Sequence, residues 1–215
     1  MAQMRVLAFD LDGTLIDSAP DIADAVNATL ITLGATPLTE DAVRAMIGDG
    51  AIVLLQRALA ASNLDLPLDR VQPGFAARYG EAATNRTRLY PGVIATLEAL
   101  ADAGYRMGIC SNKPSGPMRQ VLEHFGIARY FGCVVGGDSL PQRKPAPEPL
   151  WAVIEALGGT VEQAAMIGDS ANDVLCARAA GVKAIIIPAG YGAPAEDADL
   201  TLGSFAELPA VLARL

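Results

Sequence analysis

Short, unbroken runs of aliphatic residues recur along the chain, and segments with helical periodicity lie between them. Runs that do not alternate with polar residues are typical of strands buried on both faces of a parallel sheet. The helical segments end at glycines, as helix C-caps often do. The predicted strands are residues 6–9, 105–110, 133–135, 164–167 and 182–187. This order predicts an α/β fold with a doubly wound, mostly parallel, Rossmann-like sheet.

One interval does not fit the alternation of strands and helices. Residues 10–104 separate the first two predicted strands, whereas a crossover needs only about a dozen residues. Between residues 20 and 86 the pattern is helical, with breaks at 34–39, 47–50 and 63–68. We therefore predict that residues 16–88 form an inserted helical module of about four helices, and that residues 1–15 and 89–215 form the core.

The composition narrows the functional classes. The net charge of -8 argues against nucleic-acid or anionic-membrane partners, since both need a basic surface. Apolar stretches fall well short of the roughly 18 residues of a spanning helix, and the first run is too short for a signal peptide, so we expect a cytoplasmic protein. Three widely spaced cysteines favour neither a disulfide framework nor a thiolate zinc site.

Polar residues stand just after four of the predicted strands. The carboxyl ends of parallel strands form the ligand crevice of such sheets, so these side chains should converge there. Capping of the following helices is the alternative role for each residue alone. Four carboxylates in one crevice repel each other, which requires raised pKa values or a bound cation. The seven residues are Asp10, Asp12, Ser111, Asn112, Lys144, Asp169 and Asp173.

The available ligands indicate which cation would bind. The chain has one histidine, His124, which stands at a predicted helix end, and its cysteines look like core residues. Ligation by oxygen alone favours a hard ion, Mg²⁺ before Ca²⁺ or Zn²⁺. The segment Asp10-Leu-Asp12-Gly13 superficially suggests a calcium loop, but its glycine stands at the fourth place instead of the sixth. We therefore predict Mg²⁺ and no EF-hand.

A phosphate would fit beside such an ion. A lysine, the Ser111 hydroxyl and open backbone amides at Gly13 and Thr14 would bind its oxygens. Lys113 and Lys144 both follow strands, and their positions alone do not decide between them. Ser111 has no evident activating partner, which excludes a serine hydrolase.

The first carboxylates supply a mechanism. An ionised aspartate can attack phosphorus without prior deprotonation, so Asp10 is the predicted nucleophile that forms an aspartyl phosphate. Asp12 would protonate the leaving oxygen and then deprotonate the water that splits the intermediate.

Four ordered motifs resemble those of the haloacid dehalogenase superfamily. They are Asp10-Leu-Asp-Gly-Thr14, Ser111-Asn112, Lys144-Pro145 and Gly168-Asp-Ser-Ala-Asn-Asp173. Within that superfamily the chain is most similar to the phosphoglycolate phosphatases, over nearly its whole length. The segments that carry this similarity are 17–21, 47–50, 90–92, 111–114, 136–138 and 144–147, while Gly190-Tyr-Gly-Ala-Pro194 is shorter than the family's corresponding stretch.

The resemblance implies a role for each matching position. Mg²⁺ would be bound by the Asp10 carboxylate, the Asp12 carbonyl and Asp169, while Asp173 acts on a water of the ion or on Lys144. Lys144, rather than Lys113, would hold the phosphoryl group together with Ser111 and Asn112. The presence of Asp12 favours phosphoryl transfer over dehalogenation.

The resemblance also identifies the inserted helices as a cap domain. Its loop at residues 47–50, with Gly48 and Gly50, would close over the pocket, exclude water and contact the substrate.

The expected function is therefore a Mg²⁺-dependent hydrolase of 2-phosphoglycolate or a similar small phosphomonoester. The alternatives in the superfamily are a sugar-phosphate phosphatase, a phosphomutase of the β-phosphoglucomutase kind and a pyrophosphatase. A non-catalytic, phosphate-binding regulator is the alternative from another class. The expected partner is a small phosphorylated substrate, with neither nucleic acid nor membrane, and the protein would be a monomer or a homodimer.

Overall fold

A computed structural model describes residues 4–188, 190–191 and 197–214. Across these residues, six parallel strands form one sheet in the order β5-β4-β1-β6-β7-β8. The strands are β1 (Val6–Phe9), β4 (Arg106–Cys110), β5 (Phe131–Val135), β6 (Ala164–Gly168), β7 (Lys183–Ile186) and β8 (Leu200–Thr201). The five strands predicted from the aliphatic runs are confirmed. The sixth, β8, was not predicted because its two residues lie at the sheet edge, where no apolar run is needed.

Helices cover both faces of the sheet, which explains the unbroken aliphatic runs. All four residues of β1 are fully buried. Leu7 and Phe9 pack on one face with α5 (Val93–Asp102), α6 (Ser115–His124) and α9 (Leu208–Leu212). Val6 and Ala8 pack on the other face with α7 (Glu148–Ala156) and α8 (Ala171–Ala180). Because successive residues of a strand point to opposite faces, a strand between two helical layers is apolar throughout.

The segment between β1 and α5 is described in full and contains four helices, the number that its pattern predicts. They are α1 (Ala19–Thr32), α2 (Glu40–Arg44), α3 (Ala51–Ala61) and α4 (Leu68–Ala82). The ends of the segment are not helical, because β2 (Ile16–Asp17) and β3 (Arg88–Leu89) pair as an antiparallel ribbon. The four-helix segment is called the cap below, and its status as a separate domain stays a prediction.

The buried Asp21 ties the start of the cap to its end. Its carboxylate accepts hydrogen bonds from the backbone amide of Arg86 at 2.8 and 3.0 Å, and from the amide and hydroxyl of Thr87 at 2.8 and 2.7 Å. A buried carboxylate is stable when such donors satisfy it. Asp21 therefore has a structural role.

None of the helices in the described ranges is long and apolar enough to cross a bilayer. The three cysteines carry free thiols, of which Cys110 and Cys176 are buried and Cys133 is partly buried. His124 lies at the exposed C-terminal end of α6, where its ring contacts that of Phe125.

Candidate active site

Strand order brings the predicted site residues together. Asp10, Ser111 and Asp169 directly follow β1, β4 and β6, which are neighbours at the centre of the sheet. Lys144 reaches them from the loop after β5, and Asp173 from the first turn of α8. All five residues are buried, with exposed fractions between 0 and 8%. The predicted convergence at the carboxyl edge of the sheet is thus observed.

Three of these carboxylates lie close enough together to share a cation. Oxygen atoms of Asp10, Asp169 and Asp173 lie within 4.8 Å of one another. Burial raises the pKa of Asp10 to about 6, with Lys144 lowering and Asp173 raising it. Burial, followed by the charges of Asp173 and Asp10, raises the pKa of Asp169 to about 7. The cluster therefore holds more negative charge than its surroundings neutralise, which favours a bound cation.

The oxygen atoms of Asp10 and Asp169 fit a hard ion such as Mg²⁺. Asp10 Oδ1 is buried and accepts no hydrogen bond from the described residues, although Lys144 Nζ lies 3.0 Å away. Each Asp169 oxygen accepts one bond, from the Thr14 hydroxyl at 2.9 Å and the Tyr191 amide at 3.0 Å. A carboxylate oxygen with one such bond keeps a lone pair for a metal. Hard divalent ions prefer this set of oxygen ligands.

Asp173, which was predicted to act on a water of the ion or on Lys144, already has partners for both oxygens. Its Oδ1 lies 2.7 Å from Lys144 Nζ. Its Oδ2 accepts bonds from the amides of Asp169 and Ser170 and from the Ser170 hydroxyl, which forms a capping box at the start of α8. These contacts place Asp173 between the lysine and the helix, where it orients Lys144.

The structure separates the two lysines that sequence position alone left equivalent. Lys144 Nζ lies between Asp10 and Asp173. Burial opposes its charge, but these two carboxylates outweigh burial and hold the pKa of Lys144 well above its ordinary value. Lys113 Nζ instead lies 2.8 and 3.1 Å from the two oxygens of Asp12 and contacts the Tyr79 hydroxyl of α4. Lys144 thus lies on the Asp10 side of the site and Lys113 on the Asp12 side.

The backbone amides of Gly13 and Thr14 are already hydrogen-bonded within the chain. Their amides were expected to be open toward a phosphate, and this is wrong: Gly13 donates to Ile16 O at 2.9 Å and Thr14 to Leu11 O at 3.2 Å. The two amides close a tight turn after β1, because a buried amide takes the nearest available carbonyl. Gly13 has φ of 89°, and a Cβ there would overlap the Asp169 carboxylate. The two residues therefore shape the turn and support Asp169.

Asn112 joins the cap to the Lys144 loop. Its side-chain amide donates to the carbonyls of Lys144 at 2.9 Å and Gly48 at 3.1 Å, and its oxygen accepts from the Lys144 amide at 3.0 Å. Gly48 and Gly50 have φ of 128° and 86°, a region that favours glycine. The side chain of Asn112, which was predicted to bind the phosphoryl group, is thus hydrogen-bonded to backbone groups of Lys144 and Gly48. The loop at residues 47–50 lies against the pocket.

A cavity opens between the core and the cap. It spans about 500 Å³ of space that no protein atom fills, and this volume includes open solvent. The core contributes Asp10, Asp12 and residues 111–114, and the cap contributes an apolar wall. The apolar wall is formed by Ile22, Ile47, Leu54 and Phe75, with Tyr79 beside them. A mostly apolar cavity with a few convergent polar groups is typical of a small-molecule site.

Tyr191 contributes to the site region without having been predicted. Its hydroxyl oxygen accepts from the amides of Ser18 at 2.5 Å and Ala19 at 3.0 Å, and its proton goes to Asp17 at 2.9 Å. The Arg44 guanidinium lies 5.0 Å above its ring. More than 170 positions separate Tyr191 from these amides, so local sequence patterns do not reveal the contact. Residues 192–194 of the short segment noted above lie outside the described residues.

Comparisons with known proteins identify the family. The family model for haloacid dehalogenase-like hydrolases matches residues 7–187. The phosphoglycolate phosphatase of Rhodospirillum rubrum is 44% identical over 194 residues, which cover 87% of this chain and 80% of the relative. That of Chromobacterium violaceum is 40% identical over 97% of this chain and 96% of its own. A crystal structure described as a predicted phosphoglycolate phosphatase, from Haemophilus somnus 129pt, superimposes with a TM-score of 0.92 at 35% identity over 98% of this chain and 99% of that one.

Proposed function

Because the chain belongs to the haloacid dehalogenase-like hydrolases, we propose that it hydrolyses a small phosphomonoester, with 2-phosphoglycolate as the favoured substrate. The observation that carries the proposal is that Asp10 and Asp12 line one cavity, each with its own buried lysine. Relatives named phosphoglycolate phosphatase, at 40 to 44% identity, support the choice of substrate.

Asp10 acts as the nucleophile. With a pKa of about 6 it is mostly ionised at neutral pH, and Lys144 holds its Oδ1 at 3.0 Å. Its oxygen forms a bond to phosphorus while the bond from phosphorus to the ester oxygen breaks. The product of this step is an aspartyl phosphate and a released alcohol. A Mg²⁺ ion held by Asp10, Asp169 and the Asp12 carbonyl would neutralise charge on the phosphoryl oxygens.

Asp12 acts as the acid and then as the base. Its carboxylate is held by the Ser18 hydroxyl at 2.5 Å and by Lys113. In its protonated form Asp12 gives its proton to the leaving oxygen as that oxygen departs. In the second step Asp12 takes a proton from the attacking water, whose oxygen bonds to phosphorus while the bond to Asp10 breaks. Phosphate leaves, and both aspartates return to their starting states.

The cap supplies closure over the reacting groups. Gly48 bonds to Asn112 of the core, and Asp49 accepts a 2.7 Å bond from Asn172 of α8. With the loop in this position the apolar cap wall lies over Asp10 and Asp12. Exclusion of water strengthens the electrostatic interactions at the phosphoryl group.

Phosphate release from a panel of esters tests the function. The panel contains 2-phosphoglycolate, sugar phosphates, pyrophosphate and p-nitrophenyl phosphate, each assayed with Mg²⁺. Acid quenching followed by intact mass spectrometry should find a phosphorylated wild-type chain and an unmodified Asp10→Asn chain. Asp102→Asn, at the exposed end of α5, is the matched control and should retain activity. Release of phosphate without any phosphorylated enzyme would contradict the mechanism, and no release from any ester would contradict the function.

A further inference from the structure

Lys113 is a buried cation that the mechanism above leaves without a substrate contact. Its side chain is 1% exposed, and it lines the same cavity as Asp10 and Asp12. Its Nζ points at the Asp12 carboxylate and at the Tyr79 hydroxyl of the cap. Through Tyr79 this position adjoins the apolar wall of the cavity.

Lys113 has a donor left for a further acceptor. A buried ammonium is stable only when an anion or several acceptors satisfy it, and Asp12 is the anion in contact with Lys113. An ammonium carries three donors, and within the described residues Lys113 Nζ contacts two groups, the Asp12 carboxylate and the Tyr79 hydroxyl. A negative group on the substrate would take the third donor.

We propose that Lys113, with the Tyr79 hydroxyl, binds the carboxylate of the substrate and thereby selects phosphorylated 2-hydroxy acids over neutral phosphate esters. The inference rests on the proposed function and assigns its substrate class. In a 2-phospho acid the carboxylate carbon is separated from the ester oxygen by one carbon atom. An ester oxygen about 3 Å from Asp12 therefore brings the carboxylate within reach of Lys113 Nζ, which lies 2.8 Å from Asp12 Oδ1.

Tyr79 and the cap wall support the same choice of substrate. The Tyr79 oxygen accepts from Lys113, and a phenol that accepts one bond still has its own proton to donate. Ile22, Leu54 and Phe75 beside it offer no polar partners, so the several hydroxyls of a sugar would be buried there unpaired. A short acid satisfies the ammonium and places only a methylene group against the wall.

The test compares two esters of equal length, 2-phosphoglycolate and 2-hydroxyethyl phosphate, which differ in the carboxylate. kcat/KM is measured with Mg²⁺ for the wild type, Lys113→Met, Lys113→Arg and the control Lys183→Met, whose lysine is exposed at the start of β7. We expect the wild type and Lys183→Met to prefer the acid by about 100-fold. Lys113→Met should lose most of that preference, chiefly through KM, and Lys113→Arg should regain part of it.

The ratio between the two esters separates recognition from the positioning of Asp12. If Lys113 only positions Asp12, its loss slows hydrolysis of both esters alike. If Lys113 contacts the substrate carboxylate, its loss slows hydrolysis of 2-phosphoglycolate alone. An acid preference unchanged in Lys113→Met, or missing from the wild type, overturns the inference and leaves the phosphatase function standing. If Lys113→Met does not fold, Tyr79→Phe tests the same contact, and its preference for the acid should fall by about tenfold.

Calorimetry with the Asp10→Asn variant and Mg²⁺ measures the preference for the acid over the neutral ester as a difference in affinity, without turnover. We expect this variant to bind 2-phosphoglycolate more tightly than 2-hydroxyethyl phosphate, and the added Lys113→Met change to remove the difference. Equal affinity for the two esters in Asp10→Asn overturns the inference even if the enzyme hydrolyses neither. A failure of the phosphatase function is seen separately, as absence of phosphate release from every ester.

Discussion

Lys144 Nζ lies 2.7 Å from Asp173 Oδ1, and the other oxygen of Asp173 forms the cap of α8. The position of the lysine is thus set by the start of a helix as well as by Asp10. Such indirect placement suits a group that must stay fixed while charge on the phosphoryl group changes.

Asp173→Asn tests this placement. An amide can still accept the Ser170 hydroxyl, but it does not attract the Lys144 ammonium as a carboxylate does. We expect kcat to fall by about 10 to 100-fold, with a loss of stability of about 1 to 3 kcal/mol. Steady-state kinetics and urea unfolding measure the two effects. Asp138→Asn is the control, because Asp138 accepts the Ser115 amide and hydroxyl at the exposed start of α6. A comparable fall in kcat for both variants would remove the special role of Asp173.

Lys144→Met should destabilise the protein as well as inactivate it. The change leaves the carboxylates of Asp10 and Asp173 buried without their counter-charge. We expect a loss of about 3 to 5 kcal/mol in the absence of Mg²⁺ at neutral pH. Urea unfolding of Lys144→Met and of the control Lys183→Met measures the difference in the free energy of unfolding. Equal values would mean that the buried ion pairs contribute nothing to stability.

Asp12→Ala should affect the two chemical steps differently. Loss of the acid matters little when the leaving group is p-nitrophenolate, whereas loss of the base slows hydrolysis of the intermediate for every ester. We expect steady-state turnover to fall by about 100 to 10,000-fold, with a phosphorylated enzyme accumulating on p-nitrophenyl phosphate. Rapid-quench mass spectrometry follows that species. Ser18→Ala, which removes only one hydrogen bond to Asp12, should lose much less activity. Turnover unaffected by Asp12→Ala would reassign the residue to a structural role.

The stabilisation of the protein by Mg²⁺ should grow as pH rises. Burial raises the pKa of Asp10 to about 6 and that of Asp169 to about 7 in the folded protein, above the ordinary aspartate value of 3.8. Between pH 4 and 7 the folded state therefore binds more protons at these groups than the unfolded state, so their contribution to stability falls as pH rises. Mg²⁺ competes with those protons and should bind more weakly below pH 7.

Thermal unfolding between pH 5 and 8, with and without Mg²⁺, measures this effect. The metal-induced rise in Tm should be largest at pH 8 and small at pH 5. Asp169→Asn should flatten the pH dependence of the metal-free protein and reduce the rise caused by Mg²⁺. A rise in Tm that is as large at pH 5 as at pH 8 would contradict the assignment of the ion to these carboxylates.

Much of the core was predictable because its determinants are local. Unbroken aliphatic runs mark strands buried on two faces, and the residues after parallel strands must meet at one edge. Asp10, Ser111 and Asp169 come together for this reason. The position of Lys144 beside Asp10 followed from a family resemblance, since Lys113 satisfies the same local rule.

The remaining features depend on contacts that periodicity and motif spacing do not show. The partners of Lys113 are Asp12, 101 positions away, and Tyr79 of the cap. The turn at Gly13 uses amides that looked available for a ligand, because a carbonyl a few residues away accepts them. Both outcomes are set by three-dimensional packing, which periodicity and motif spacing do not encode.

The ribbon of β2 and β3 has a consequence for how this architecture can vary. Ile16 and Leu89 are paired neighbours, so the chain leaves the core and returns to it at a single place. A hairpin turn of a few residues could join the two strands in place of everything between them. Gain, loss or exchange of the whole intervening segment is then a local edit to one hairpin, and the sheet and the pairs of Lys144 with Asp10 and Asp173 need no rebuilding.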